Sequence, residues 1–132
     1  MQAPSVKALL FCNDAQLLST VDRVFRDFHL VTEVCSSHDG AAQAIQDKDF
    51  DLLAIDLDEP GAGGVMDCWR RGPNAQMLVI AFARQAETMK QVRGQVHFML
   101  QKPMTASLLT RTLKAAQSLL VLKSPVGTVA GR

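Results

Sequence analysis

The sequence DLLAIDLDEPGAGG, residues 51–64, decides the fold. Its first seven residues are mostly apolar, and such a run is typical of a strand that is covered on both faces. The acidic residues Asp56, Asp58 and Glu59 stand where this strand should end, and Pro60 with the GAGG run predicts a loop. The segment therefore predicts a central strand that delivers a carboxylate to one edge of a sheet.

Four further apolar segments predict strands, and an amphipathic segment follows each of the five. The other strands are expected at residues 7–12, 30–35, 77–82 and 96–100. The helices are expected at residues 15–28, 41–48, 65–69, 85–93 and 108–120. Strict alternation favours a parallel sheet with helices on both faces, because parallel strands need crossover connections. We therefore expect a three-layer α/β fold, flavodoxin-like, with five parallel strands in the order 2-1-3-4-5.

This strand order also locates a crevice outside the carboxyl ends of strands 1 and 3, where the winding reverses. Strand 1 should bring Cys12, Asn13 and Asp14 to that edge, strand 3 should bring Asp56, and strand 5 should bring Lys102. We therefore expect a carboxylate and an ammonium to share one pocket. Asn13 and Asp14 are also residue types that cap a helix, so they can serve the first helix alone.

Composition limits the classes of function. The chain has 132 residues, a length that fits one domain. Its formal charge is only +1, and it has no basic stripe of the kind that binds nucleic acid. No apolar run approaches the ~18 residues that cross a membrane. Cys12, Cys35 and Cys68 show no CxxC spacing, so we expect reduced thiols in the cytoplasm and no metal cluster. We assign residues 1–122 to the domain and residues 123–132 to a flexible tail or the start of a linker to an output domain.

Two motifs make the chain similar to response-regulator receiver domains. The stretch quoted above resembles their third strand with its phospho-acceptor, and FMLQKP, residues 98–103, resembles their lysine-proline turn. The resemblance extends from Lys7 to about Leu122. It implies that Asp56 accepts a phosphoryl group, that Lys102 steadies the new charge, and that Pro103 is cis. It also implies Mg²⁺ as cofactor and a histidine kinase or phosphotransfer protein as partner.

The chain departs from the family's pattern at two strand ends. Receivers place two acidic residues after strand 1, where this chain has Cys12 and Asn13, and Asp14 comes one residue too late. Mg²⁺ prefers carboxylate oxygens and is poorly served by a thiol. We therefore expect at most a weakened site with Asn13, Asp14, Asp56 and Asp58 as ligands. The stretch of residues 81–83 also lacks the hydroxyl that the family carries after strand 4.

Three functions remain open at this point. The chain can be a phospho-accepting switch, or a pseudo-receiver that keeps the fold and works as an interaction module independent of phosphorylation. A nucleotide-binding enzyme in the same crevice would need a glycine-rich turn after strand 1, where CNDAQLL stands, so we expect a module that is not an enzyme.

Receivers also pair through the face formed by helix 4, strand 5 and helix 5, which predicts a homodimer contact there. Cys12 is read as an inert buried thiol, with a redox role as the alternative.

Overall fold

The computed structural model describes residues 6–72 and 76–123, with side chains as far as residue 120. Five strands alternate with five helices along this part of the chain. They are β1 (Lys7–Phe11), α1 (Ala15–Asp27), β2 (Val31–Cys35), α2 (His38–Asp47), β3 (Leu52–Asp56), α3 (Ala62–Arg71), β4 (Leu78–Ala83), α4 (Ala86–Gln91), β5 (Phe98–Gln101) and α5 (Ala106–Lys123). Of the predicted tail, only Lys123 is described, and it ends α5; residues 124–132 lie outside the described part.

The strands form one parallel sheet in the order β2-β1-β3-β4-β5, which confirms the predicted fold class and strand order. Every residue of β3 and β4 is buried, as expected for strands covered on both faces. β2 lies at an edge and is only partly covered, with Val31 54% exposed and Val34 45% exposed. The carboxyl ends of β1, β3, β4 and β5 therefore point to the same side of the molecule.

The two faces of the sheet support two separate cores, because successive side chains of a strand point to opposite sides. On one face, Leu10 and Ala54 pack with α1 and α5. On the other face, Leu9 and Leu53 pack with α2 and α3. Trp69 belongs to the second core and is 6% exposed.

The helices differ from the predicted ranges at several boundaries. α3 begins at Ala62, so the prediction of a loop over residues 61–64 is wrong for its last three residues. Gly61, at φ 89°, makes the turn into the helix, and a Cβ there would lie 2.8 Å from His38 Cβ. α2 begins early, at His38, because the Ser37 hydroxyl accepts the Gly40 N–H. α4 is shorter than predicted and has no buried residue.

Candidate functional site

Asp56 and Lys102 meet at the carboxyl edge of the sheet, as the strand order predicted. Asp56 is the last residue of β3, and Lys102 follows β5 directly. Lys102 Nζ lies 2.9 Å from Asp56 Oδ1 and 3.0 Å from Asp56 Oδ2. Asp56 is 1% exposed and Lys102 is 8% exposed. The pair is therefore a buried ion pair in which both carboxylate oxygens bind the same ammonium.

Asp58 is a second carboxylate on the same ammonium. Its Oδ2 atom lies 3.0 Å from Lys102 Nζ and accepts the backbone N–H of Arg84 at 2.9 Å. Its own N–H donates to Asp56 Oδ1 at 3.0 Å. Asp58 therefore ties the turn after β3 to the ends of β4 and β5.

Asp14 has two roles. Its Oδ1 atom accepts the N–H groups of Gln16 and Leu17 at 3.0 and 3.3 Å, so it caps α1 as predicted. Its Oδ2 atom lies 3.7 Å from Lys102 Nζ. The Leu17 N–H is the main cause that lowers the pKa of Asp14, with help from Gln16 and Lys102 and against some desolvation. Asn13, the fourth predicted metal ligand, is exposed and takes no part in the described contacts of Lys102.

The surroundings of Lys102 stabilise its charged form. Burial disfavours the ammonium, but hydrogen bonds and charges from Asp56 and Asp58 outweigh this, so the pKa of Lys102 lies above its ordinary value. One ammonium therefore faces three carboxylates, those of Asp14, Asp56 and Asp58. Arg84 acts on Asp14 as a further positive charge, and the Lys102 ammonium stays charged at any physiological pH.

The residues present do not fit a magnesium ion. Mg²⁺ needs near-octahedral oxygen ligands at about 2.0–2.1 Å. Both oxygens of Asp56 are held by Lys102, one oxygen of Asp14 caps a helix, and Cys12 offers a neutral thiol. Across residues 6–72 and 76–123, no group of three or more His, Cys, Asp or Glu side chains is arranged to hold a metal. The carboxylates converge on an ammonium instead.

Cys12 lies directly beside this cluster as a buried thiol. It is 1% exposed, and its Sγ atom donates to the Asp14 carbonyl at 3.5 Å. Burial raises its pKa to about 11, because desolvation penalises the thiolate and outweighs the Asp14 contact that lowers it. The thiolate is the form that reacts and that binds metals. These features favour the inert interpretation over a redox sensor.

We expect native Cys12 to be alkylated very slowly by iodoacetamide at pH 8. The rise in pKa from 9.0 to about 11 lowers the thiolate fraction by about 100-fold, before burial slows access further. Peptide mass mapping after timed labelling measures this, with the half-buried Cys68 as internal reference and urea-unfolded protein as the matched control. Native labelling of Cys12 within tenfold of the unfolded rate would contradict the assignment.

The end of β4 completes the site. Residues 81–83 are Ala, Phe and Ala, and the Ala83 carbonyl accepts the Lys102 backbone N–H at 2.8 Å. Sequence reasoning missed Arg84, although its position just after β4 places it at the same edge. The peptide bond between Lys102 and Pro103 is cis, as the resemblance implied.

A cleft of about 140 Å³ opens beside the cluster, lined by Asp14, Gln16, Leu17, Thr20, Arg84, Lys102, Pro103 and Met104.

Solved structures with the same architecture cover most of this chain. A CheY-like response regulator receiver domain protein from Methanospirillum hungatei JF-1 is 12% identical, with a TM-score of 0.79 over 92% of this chain and 100% of its own. The chemotaxis response regulator CheY4 of Vibrio cholerae is 18% identical, with a TM-score of 0.75 over 86% of this chain and 99% of its own. This chain has the receiver fold. No protein-family model and no curated protein matches it by sequence.

A third structure bears on the cofactor. The receiver domain of a sensor histidine kinase from Pseudomonas aeruginosa PAO1 is 18% identical to this chain, with a TM-score of 0.69 over 85% of this chain and 97% of its own. It is described with a magnesium ion coordinated in its active-site cleft. In the described part of the present receiver fold, no helix is long and apolar enough to span a membrane.

Proposed function

We propose that this chain is a receiver module in signal transduction that acts through protein–protein contacts, without magnesium-dependent phosphorylation of Asp56. The observation that carries the proposal is the double contact between Asp56 and Lys102. Both Asp56 oxygens bind Lys102 Nζ, at 2.9 and 3.0 Å, and Asp56 is 1% exposed. A nucleophile must present an oxygen lone pair to phosphorus. Lys102 Nζ and the Asp58 N–H engage three of the roughly four lone-pair sites of the Asp56 carboxylate, and the remaining site, on Oδ2, belongs to a side chain that is 1% exposed.

Two further features support an interaction module over a phosphorylation switch. The end of β4 has no hydroxyl over residues 81–83 that could bind a phosphoryl oxygen. The described residues of the cluster also do not fit a metal ion that would neutralise an incoming phosphate, because both Asp56 oxygens are bound to Lys102. The proposed partners are an output domain or a separate signalling protein, and the proposed place of action is the cytoplasm, in keeping with three free thiols. The homodimer contact through α4, β5 and α5 stays a prediction.

The second candidate is the phospho-accepting switch, and the pairing of Asp56 with Lys102 favours it. In that case an Asp56 oxygen would form a bond to phosphorus while the P–N bond of a kinase or phosphotransfer phosphohistidine breaks. Lys102 would then pair with the new phosphoryl charge. In the first function, Lys102 therefore occupies the Asp56 carboxylate permanently. In the second function, Lys102 stabilises the charge of the phosphoryl group that Asp56 accepts.

Beryllofluoride, a phosphoryl mimic, separates the two functions. We expect amide ¹H–¹⁵N spectra of the protein to stay unchanged when beryllofluoride and millimolar Mg²⁺ are added, because Asp56 is already occupied by Lys102. Acetyl phosphate should likewise leave the intact mass unchanged. The Pseudomonas receiver domain described with magnesium serves as the positive control.

The matched variant is Asp56→Asn, which keeps the shape of the side chain and removes its charge. Shifts around Asp56 that occur in the wild type and vanish in Asp56→Asn would show a working acceptor. They would refute the proposal in favour of the second candidate.

A further inference from the structure

The cluster of Asp14, Asp56 and Asp58 surrounds one nitrogen atom. Lys102 Nζ lies 2.9 Å from Asp56 Oδ1, 3.0 Å from Asp58 Oδ2 and 3.7 Å from Asp14 Oδ2. A divalent metal in a protein would likewise draw carboxylate oxygens from several loops to one point. We propose that the Lys102 ammonium is the resident cation of this acidic cluster, and that it excludes divalent metal ions from it.

The burial of the three carboxylates shows why the cluster needs a cation. Asp56 is 1% exposed, and the side chains of Asp14 and Asp58 are 30% and 29% exposed. Like charges this close in a partly buried place repel each other, and a buried carboxylate without a partner is costly. Lys102 supplies the positive charge at the point nearest to all three. An incoming metal ion would have to bind beside this ammonium or displace it.

The same ammonium holds the loops at this edge together. Asp14 lies between β1 and α1, and Asp56 and Asp58 lie at the end of β3. Asp58 also accepts the Arg84 N–H just after β4, while Lys102 itself follows β5. Lys102 is therefore a positioning residue whose charge joins the ends of β1, β3 and β5, while Asp58 connects the end of β4 to them. A metal ion could also perform this task.

Titration with Mn²⁺ alone tests this assignment, because free Mn²⁺ gives an electron paramagnetic resonance signal that is lost on binding. We expect the wild-type protein to leave Mn²⁺ free at millimolar concentration. The variant Lys102→Met replaces the ammonium with a neutral side chain of similar length. The three carboxylates then lack the cation that they surround in the wild type. That variant should bind Mn²⁺ at least about tenfold more tightly than the wild type, since a like charge next to the ion has been removed.

Three variants act as controls. Lys102→Arg keeps a positive charge and should behave as the wild type. Lys90→Met removes an exposed lysine that lies 3.6 Å from Glu87, and it should also leave Mn²⁺ free. Asp58→Asn combined with Lys102→Met removes one of the three carboxylates and should lose most of the gained affinity. This last variant ties the new site to the cluster and not to another acidic surface.

Thermal unfolding gives a second measurement that does not require a fully stable variant. The midpoint for Lys102→Met should rise on addition of millimolar Mn²⁺, because a ligand that binds only the folded state stabilises it. The wild-type midpoint should not move. Failure of Lys102→Met to fold even with Mn²⁺ present would count against the proposal, since a divalent ion should be able to replace the ammonium.

Two outcomes would overturn the proposal directly. One is wild-type Mn²⁺ binding as tight as that of the Pseudomonas receiver domain described with magnesium. The other is a folded Lys102→Met protein that binds Mn²⁺ no better than the wild type. Phosphorylation of wild-type Asp56 by acetyl phosphate without Mn²⁺ binding would refute only the proposed function, so the two failures are distinguishable.

Discussion

Lys102→Met is expected to lower the free energy of unfolding by roughly 3–5 kcal/mol, because removing one partner of a buried ion pair leaves an uncompensated buried charge. Here that charge is on Asp56, which is 1% exposed and has both oxygens on Lys102. Urea unfolding at pH 7, followed by circular dichroism without divalent ions, measures the change. The effect would remove a large part of the 5–15 kcal/mol that stabilises a typical domain.

A double-mutant cycle separates the lost pairing from the lost packing. Asp56→Asn combined with Lys102→Met removes both charges of the pair, and it should be more stable than Lys102→Met alone. Lys90→Met, which breaks an exposed pair with Glu87, should cost less than about 1 kcal/mol. Equal losses in Lys102→Met and Lys90→Met would contradict a buried, energetically coupled pair.

The pH dependence of stability gives a further check on the same variant. The raised pKa of Lys102 contributes stability that is fully present below its ordinary value of 10.5 and is lost as pH rises through the folded value. The lowered pKa of Asp14 contributes stability that is present above 3.8 and is lost as pH falls through the folded value. The contributions of these two groups are therefore both fully present around neutral pH. In Lys102→Met, the fall in stability that accompanies a pH rise through the folded pKa of Lys102 should be absent.

The meeting of Asp56 and Lys102 could be predicted because it depends only on strand order. Each residue stands at the end of an apolar run, and parallel strands end at a common edge. Periodicity and run length are enough to place such residues. The cis Lys102–Pro103 bond was implied by the resemblance alone.

The details of the cluster could not be predicted because they depend on loop conformation. Asp58 contacts Lys102 and also accepts the Arg84 N–H, and both contacts join residues that are far apart in the sequence. The start of α3 was missed for a similar reason. His38 lies against Gly61 and Gly64, and such tertiary packing leaves no periodic signal in the segment GAGG. The contact of both Asp56 oxygens with Lys102, on which the proposed function depends, also leaves no signal in the sequence.

Phe82→Ala is expected to cost roughly 3–5 kcal/mol of unfolding free energy, from lost burial and from the cavity that remains. Phe82 is 0% exposed and packs in the core that β4 shares with α1 and α5. It is also the register partner of Asp56, and its carbonyl accepts the Leu57 N–H at 2.8 Å. The ring therefore supports the strand pair that carries the acidic cluster. Urea unfolding again measures the loss.

Phe82→Leu is the matched control, because it keeps an apolar side chain and leaves a smaller cavity. It should cost clearly less than Phe82→Ala, since the penalty grows with the cavity volume that cannot collapse. Neither variant changes a charge of the cluster, so both proteins, while folded, should still leave Mn²⁺ free. A Phe82→Ala protein that loses less than about 1 kcal/mol would mean that this core collapses around the gap. Mn²⁺ binding by that protein would instead show that packing beneath the strand ends, and not Lys102 alone, keeps the metal out.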